Sequence, residues 1–391
     1  MNVNKTLITD SGVLAEFCTR LKGAPFITVD TEFMRESTYW PILCLVQVAG
    51  PDEAVAIDAL ADGLDMSPLF GVLRDPDILK VFHAGRQDME IFYNLMSHLP
   101  APIFDTQIAA MVCGFGDQVG YETLISRLTG APIDKSSRFT DWSLRPLSDK
   151  QIAYALDDVV HLFEAYEKLK ETLEKSGREN WLNEEMEILT ATRTYDVAPE
   201  DTWRRIKARG AKPRTLAVLR ELAAWREKEA QRRDVPRGRV VKDDSLVEIA
   251  HHTPSTAKEL GRTRGLSKGL AEGKIGSALL AAVQRGLAAP KDDWPRVPKK
   301  PDLPEGIGPM TDLLKVLLKM KCQDMNVAQK LVANVSDLDL IAAFGEEADV
   351  SALHGWRREV FGDDALRLRN GEIALAARDG VIKIFPTGET A

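Results

Sequence analysis

The feature that most constrains this chain is Phe26-Ile27-Thr28-Val29-Asp30-Thr31-Glu32-Phe33, a short apolar run with β-branched residues that ends in two carboxylates two positions apart. A strand has a period of two, so Asp30 and Glu32 face the same side of it. Like charges on one face of a buried strand repel and resist desolvation. They call for a compensating cation, either an Arg or Lys partner or a bound metal ion. Taken by itself, the pair reads more simply as a strand running out into a polar loop with two solvated acids. The rest of the chain has to decide.

Around that strand the pattern is one of strands, then of alternating strands and helices. Leu43–Val48 and Ala54–Asp58 are separated by the turn-like cluster Gly50-Pro51-Asp52-Glu53, which predicts three consecutive antiparallel strands. A helix around Leu64–Leu73 follows, then a strand at Ile78–His83, a helix from Arg86 to Met96, a short strand at Ile103-Phe104 and a helix opening at Asp105-Thr106. This is a mixed α/β sheet sandwiched by helices. Within it, Gly85 permits a sharp strand-to-helix turn. Asp88 then falls in a first helical turn near the carboxyl edge of the sheet, where open α/β folds place ligands and where a helix dipole also favours an acid. Asp105, with Thr106 and Gln107 behind it, reads as a helix N-cap and not as a ligand.

Ser148-Asp149-Lys150-Gln151 is a capping box, and Leu147 and Ile152 are spaced as a hydrophobic staple, so a helix starts here and runs to about Gly177. At about 100° per residue, Ile152, Leu156, Val159, Phe163 and Tyr166 share one face, and Lys150, Asp157, Glu164 and Lys168 share a charged one. Tyr154 and Asp158, four apart, lie together at the margin between them, where a side chain can point into a cleft. Asp157 belongs to solvent.

The sets VDTEF at Val29, HAGRQDMEIF at His83 and YALDDV at Tyr154 resemble the DEDD superfamily of 3′–5′ exonucleases, in its tyrosine subclass. DTEFMRESTYWP at Asp30, LCLVQVA at Leu43, FDTQIAA at Phe104 and TDWSLRPLSDKQIAYALDDV at Thr140 are similar to the bacterial ribonuclease D family, and residues 201–290 resemble its helical HRDC domain. The resemblance implies a ribonuclease H-like mixed sheet and a metal site of four acids, Asp30, Glu32, Asp88 and Asp158, holding two Mg²⁺ or Mn²⁺ ions. Oxygen-only ligands suit such hard cations. It further implies that Asp30 bridges both ions, that Glu32 and Asp158 complete the site of the nucleophilic water, and that Asp88 holds the second ion. Tyr154, a poor base at neutral pH, is then expected to orient the water. His83 is expected to be strand-end structure, and His161, one turn beyond Asp158, at best to stand behind the ligands.

The charge is unevenly spread. Residues 1–200 carry 17 Lys+Arg against 32 Asp+Glu, residues 201–290 carry 20 against 10, and residues 291–391 carry 14 against 17. An acidic unit is joined to a basic one, a pointer to nucleic acid. Leu216, Leu219, Leu222 and Ala223 are spaced for one helix face, and the cations Arg226, Lys228, Arg232, Arg233, Arg237 and Arg239 that follow suit phosphate contact. Arg138 and Arg145 are expected to position terminal nucleotides. The four cysteines form no Cys-x-x-Cys pair, and no positively flanked apolar segment opens the chain, so a cytoplasmic protein without a disulfide framework is expected.

Five segments follow from this. They are an exonuclease domain over 1–175, a helical connector over 176–205, a basic HRDC domain over 206–288, a Pro-rich linker over 289–306, and a second HRDC-like helical domain over 307–391 with helices at Met310–Lys321 and Val327–Val335. A break near Pro199 is expected to leave a folded nuclease. The function implied is trimming of single-stranded RNA 3′ ends, in tRNA precursors, by a monomer that releases nucleoside 5′-phosphates. The competing readings are a DNA 3′–5′ exonuclease and a non-catalytic RNA-binding scaffold.

Overall fold

Six strands form the sheet on which everything else is arranged. The computed structural model describes residues 4–134, 136–296 and 301–388. In chain order the first half runs β1 (Asn4–Ile8), α1 (Ser11–Arg20), β2 (Phe26–Met34), β3 (Ile42–Ala49), β4 (Glu53–Asp58), α2 (Ser67–Arg74), β5 (Leu79–Phe82), α3 (Arg86–Met96), β6 (Ile103–Asp105), α4 (Thr106–Val112), α5 (Tyr121–Thr129) and α6 (Asp149–Ser176). The spatial order is β1-β4-β3-β2-β5-β6. β2, β3 and β4 are antiparallel neighbours, as the turn cluster predicts, and β1, β5 and β6 join in parallel. β1, α1 and α5 are elements that the sequence pattern left unread.

The period of two sorts side chains between the faces of the sheet. Ile27, Val29, Val46, Val48, Val55 and Ile57 pack against Leu14, Phe17, Leu69 and Phe92 of the helices on one side. Leu45, Ala49, Ala54 and Ala56 pack against Ala155, Leu156 and Val159 of α6 on the other. The small alanines let α6 lie close to the sheet, and Thr28 Oγ1 donates to the Val159 carbonyl at 2.8 Å. α6 begins at the expected capping box, with Ser148 and Gln151 bonded reciprocally, and stops at Gly177 in the left-handed conformation.

Beyond α6 the chain is helical. A connector with α7 (Asn183–Thr190) leads to α8 (Pro213–Arg233), whose Leu216, Leu219, Leu222 and Ala223 are buried, as their spacing predicts, in a separate core with Leu246, Ile249, Leu279 and Val283. Of the Pro-rich stretch, Pro298 lies outside the described residues. The last region opens on a helix over Gly308–Asp324. The helix expected over Val327–Val335 is instead a single turn, Gln329–Val332; Ala333 is extended, and Asn334 caps a new helix over Val335–Phe344. The chain also ends on a hairpin, β7 (Ile373–Arg378) and β8 (Val381–Pro386), that helical expectations missed. Its turn residues Asp379 and Gly380 both have positive φ, the Asp-Gly signal of a tight hairpin.

The end regions are not independent. Ala109–Val112 of α4 and Leu169 and Leu173 of α6 share one continuous core with Leu314, Leu317, Leu331, Ile341, Phe361 and Ile373. This shared burial shows that the last region packs against the catalytic domain. Among the described residues no helix is long and apolar enough to cross a membrane.

Candidate active site

β2 places Asp30 and Glu32 on the face that α6 covers, at the strand's outgoing end, where a register shift falls between Glu32 and Phe33. Thr31, between them, points the other way, and its hydroxyl donates to Asp88 Oδ1. Asp88 sits in the first turn of α3. The turn that delivers it is built differently from expectation. The positive φ falls on Ala84, and Gly85 is required because a Cβ there would lie 2.7 Å from Cβ of Phe82. Asp105 caps α4 through Gln107 N at 2.8 Å, and it also accepts from Ala84 N at 3.1 Å and Gly85 N at 2.9 Å. One buried carboxylate thus caps one helix and holds the turn that starts another.

From the opposite side, α6 presents Tyr154 and Asp158. Asp30, Tyr154 and Asp158 line one pocket of about 360 Å³ with His83, Tyr121 and Arg138. The Tyr154 side chain bonds the Asp158 carboxylate, and the Tyr121 hydroxyl donates to the Asp158 backbone carbonyl. Tyr121 and its helix α5 were not found from the sequence, although Gly120 ahead of it and the apolar face of Leu124 and Ile125 were available signals. Asp157 is half-buried, not fully in solvent. His83 lines the pocket with its Nδ1 3.0 Å from Thr106 Oγ1, and burial pushes its pKa down to about 4, so it is a neutral wall. His161 is half-buried and is not among the lining residues.

The acids act on one another. Burial and then the charges of Asp88, Asp158 and Glu32 hold Asp30 well above the usual carboxylate range. Glu32 is pushed up to about 8 by burial and by Asp158 and Asp88. Asp88 and Asp158 are raised chiefly by burial; Thr31 opposes the first shift, and Tyr154 and Arg138 oppose the second. Four crowded carboxylates facing an exposed guanidinium form an incomplete electrostatic unit, which a divalent cation would complete. Among the described residues no three His, Cys, Asp or Glu side chains are already drawn together as a cation cage. Asp88 and Asp158 are each held by a protein hydroxyl, and the donor set is otherwise all oxygen, which fits a hard divalent ion.

Two expectations about cations are corrected. The Arg145 guanidinium is fully engaged, donating to Asp58 at 2.6 and 2.8 Å and to the carbonyls of Cys44, Trp142 and Leu144, so it braces the pocket loop and is not free for a nucleotide. Two of the cations at 226–239, Arg226 and Arg237, turn inward, and others form surface ion pairs. Arg226 is buried against Asp243 and the Val241 carbonyl; Lys228 pairs with Glu200 and Arg232 with Glu229. Arg237 pairs with Glu227 and stacks over Tyr39 at 4.8 Å. With the Tyr39 hydroxyl bonded to Glu227 and Asp234 accepting from Tyr39 N and Trp40 N, these contacts dock the basic unit onto the loop after β2. Lys228, Arg232, Arg233 and Arg239 of the predicted cluster are nevertheless exposed, and they share the surface of that unit with Arg209, Lys242, Arg262, Arg264 and Lys268.

A sheet of this order, with Asp30 of β2 and Asp158 of α6 lining one pocket, is that of the 3′–5′ exonuclease class, and residues 6–174 match the 3′–5′ exonuclease family model; Glu32 and Asp88 are not among the pocket's lining residues, although their charges reach Asp30. Residues 215–283 match the HRDC domain. The chain is 50% identical to ribonuclease D of Nitrobacter hamburgensis over 374 residues, covering 96% of this chain and 97% of the relative. It is 51% identical to ribonuclease D of Granulibacter bethesdensis, covering 98% and 97%. The crystal structure of Escherichia coli RNase D, described as an exoribonuclease involved in structured RNA processing, superposes with a TM-score of 0.81 at 33% identity, covering 94% and 98%. The chain belongs to the ribonuclease D family. Its activity is that of a 3′–5′ exoribonuclease of a divalent-metal-using family, and it binds RNA as substrate.

Proposed function

We propose that this chain shortens single-stranded RNA 3′ ends one nucleotide at a time, tRNA precursors among them, and releases nucleoside 5′-phosphates. The observation that carries the reading is a pocket lined by Asp30, Asp158 and Tyr154, with the buried carboxylates of Glu32 and Asp88 near enough for their charge to act on Asp30. Asp30, Glu32, Asp88 and Asp158 would hold two ions, Mg²⁺ or Mn²⁺. That Asp30 would be the acid shared between them is supported by its carboxyl feeling the charge of all three others. Bound divalent ions supply the positive charge that an anionic phosphodiester and its attacking water require. The chain does the rest. Tyr154 lies against Asp158, and burial and the nearby carboxylates raise its pKa further, so it stays a phenol and orients the water by hydrogen bonding. Arg138 offers a guanidinium to the terminal phosphate, and neutral His83 and Tyr121 shape the wall.

The exposed cations of residues 206–288 supply a grip on the RNA backbone away from the pocket, without reading bases. One copy carries all four acids, which supports action as a monomer, and the cytoplasm is the proposed compartment. The domain boundaries given above are proposed as the functional division. The test is a 3′-labelled RNA oligonucleotide and its DNA counterpart incubated with Mg²⁺ or with EDTA. Stepwise shortening of RNA in Mg²⁺ alone is expected. Preference for DNA would favour the DNA exonuclease reading, and binding without cleavage the scaffold reading.

A further inference from the structure

Gln47 lies in the middle of the apolar strand β3 and is wholly buried, with neither Nε2 nor Oε1 hydrogen-bonded. Leaving such an amide unpaired costs on the order of 1–3 kcal/mol per group, so an apolar residue of the same shape would serve the fold better. Its position is specific. Gln47 is the ladder partner of Asp30 in the antiparallel β2–β3 pair, so the two side chains stand on the same face with Cβ atoms about 4.5–5.5 Å apart. The other candidates for its partner on that face are already used or apolar. Thr28 donates to Val159, Asp58 is bound by Arg145, and Leu45, Ala49, Ala54 and Ala56 carry no polar side-chain atom; Glu32 shares the face but is the ladder partner of Leu45, diagonal to Gln47, whereas Asp30 stands directly opposite. Gln47 does not line the pocket, whereas Asp30 does. The amide therefore stands behind the carboxylate, on the side away from the opening.

We propose that Gln47 is a positioning residue for Asp30: its Nε2, unpaired in the ion-free chain, would donate to the carboxylate from behind when an ion is bound and fix the orientation in which Asp30 presents its oxygens. The inference rests on the metal reading of the four acids. A carboxylate fixed by a neutral donor keeps its full charge for the ion, which a Lys or Arg in the same place would cancel. The arrangement accepts an unpaired amide in the ion-free protein in return for an ordered ligand when the ion arrives, and outer-layer partners of this kind typically change metal affinity by about 10–100-fold.

A structural and a positioning role predict different behaviour in Gln47→Met, which keeps length and removes both polar atoms. Titration calorimetry of the full chain with Mn²⁺ should show affinity at least about tenfold weaker than wild type. The melting temperature of the EDTA-treated variant should be equal to or above that of wild type. Gln47→Asn, which keeps the amide but withdraws it by one methylene, serves if the Met variant does not fold, and the same weakening is expected. Unchanged Mn²⁺ affinity in the folded variant would overturn the proposal, as would lost melting temperature with affinity intact. Absence of Mn²⁺ binding by the wild-type chain would overturn the metal reading itself, and Gln47's role with it.

Discussion

At the scale of single residues, the pocket trades stability for charge. A carboxyl whose pKa is raised on folding binds more protons in the folded than in the unfolded state, so its contribution falls as pH rises. For Glu32 the window runs from the ordinary Glu range near 4.5 to about 8, and Asp30 acts in the same direction. The EDTA-treated protein should therefore lose melting temperature steadily from about pH 5 to pH 8, and saturating Mg²⁺ should flatten that slope. A melting temperature independent of pH in EDTA would mean that the acids do not repel as described. Asp30→Asn should reduce turnover to below about 1% while circular dichroism stays unchanged, and it should remove part of the pH slope because one buried charge is gone. Tyr154→Phe is gentler. Loss of the hydroxyl should slow single-turnover cleavage on the order of 10²–10³-fold without weakening Mn²⁺ binding, and an unchanged rate would return Tyr154 to packing against Trp142.

At the scale of elements, what was legible depended on how local the signal was. The capping box at Ser148, the stop at Gly177 and the Asp105 cap were readable because a few neighbouring residues satisfy one another's backbone groups. Strand and helix periods pair Asp30 with Glu32 and Tyr154 with Asp158 on common faces, but that these residues and Asp88 form one set came from the family resemblance and not from any period. Arg145, Arg237 and Tyr39 were not readable, since their partners lie far along the chain: Asp58 for the first, and each other and Glu227 for the second and third. Gln47 was legible in principle, as the alternation that places Asp30 also places its partner. The double use of Asp105 leads to a test. Asp105→Ala strips bonds from Gln107, Ala84 and Gly85 at once and should lower stability by about 2–4 kcal/mol in denaturant unfolding. It should also weaken Mn²⁺ binding through the displaced Asp88, whereas a pure helix cap would leave binding intact.

At the scale of the whole molecule, the charge asymmetry and the packing pull the expected domain picture in different directions. The basic unit has its own core and meets the catalytic domain through polar contacts at Tyr39 and Trp40. Its grip on RNA is best tested by leaving the fold alone. Replacing Arg262, Arg264 and Lys268 with Gln should reduce the slope of log affinity against log salt by about 0.7 per lost contact, and an unchanged slope would show that these cations merely face solvent. Ending the chain near Pro199 is a harsher change than the sequence implied, because it uncovers the apolar face of Ala109–Val112 and Leu169 that the last region covers. Such a fragment should melt well below the full chain and bind a hydrophobic dye. The shared core also bears on how the protein is made. Roughly 190 residues separate Leu182 from Ile373 in that core, so at about 5–20 residues per second a finished catalytic sheet waits some 10–40 s on the ribosome with that face bare. The early-made half of the enzyme thus depends for cover on residues translated about 190 positions later.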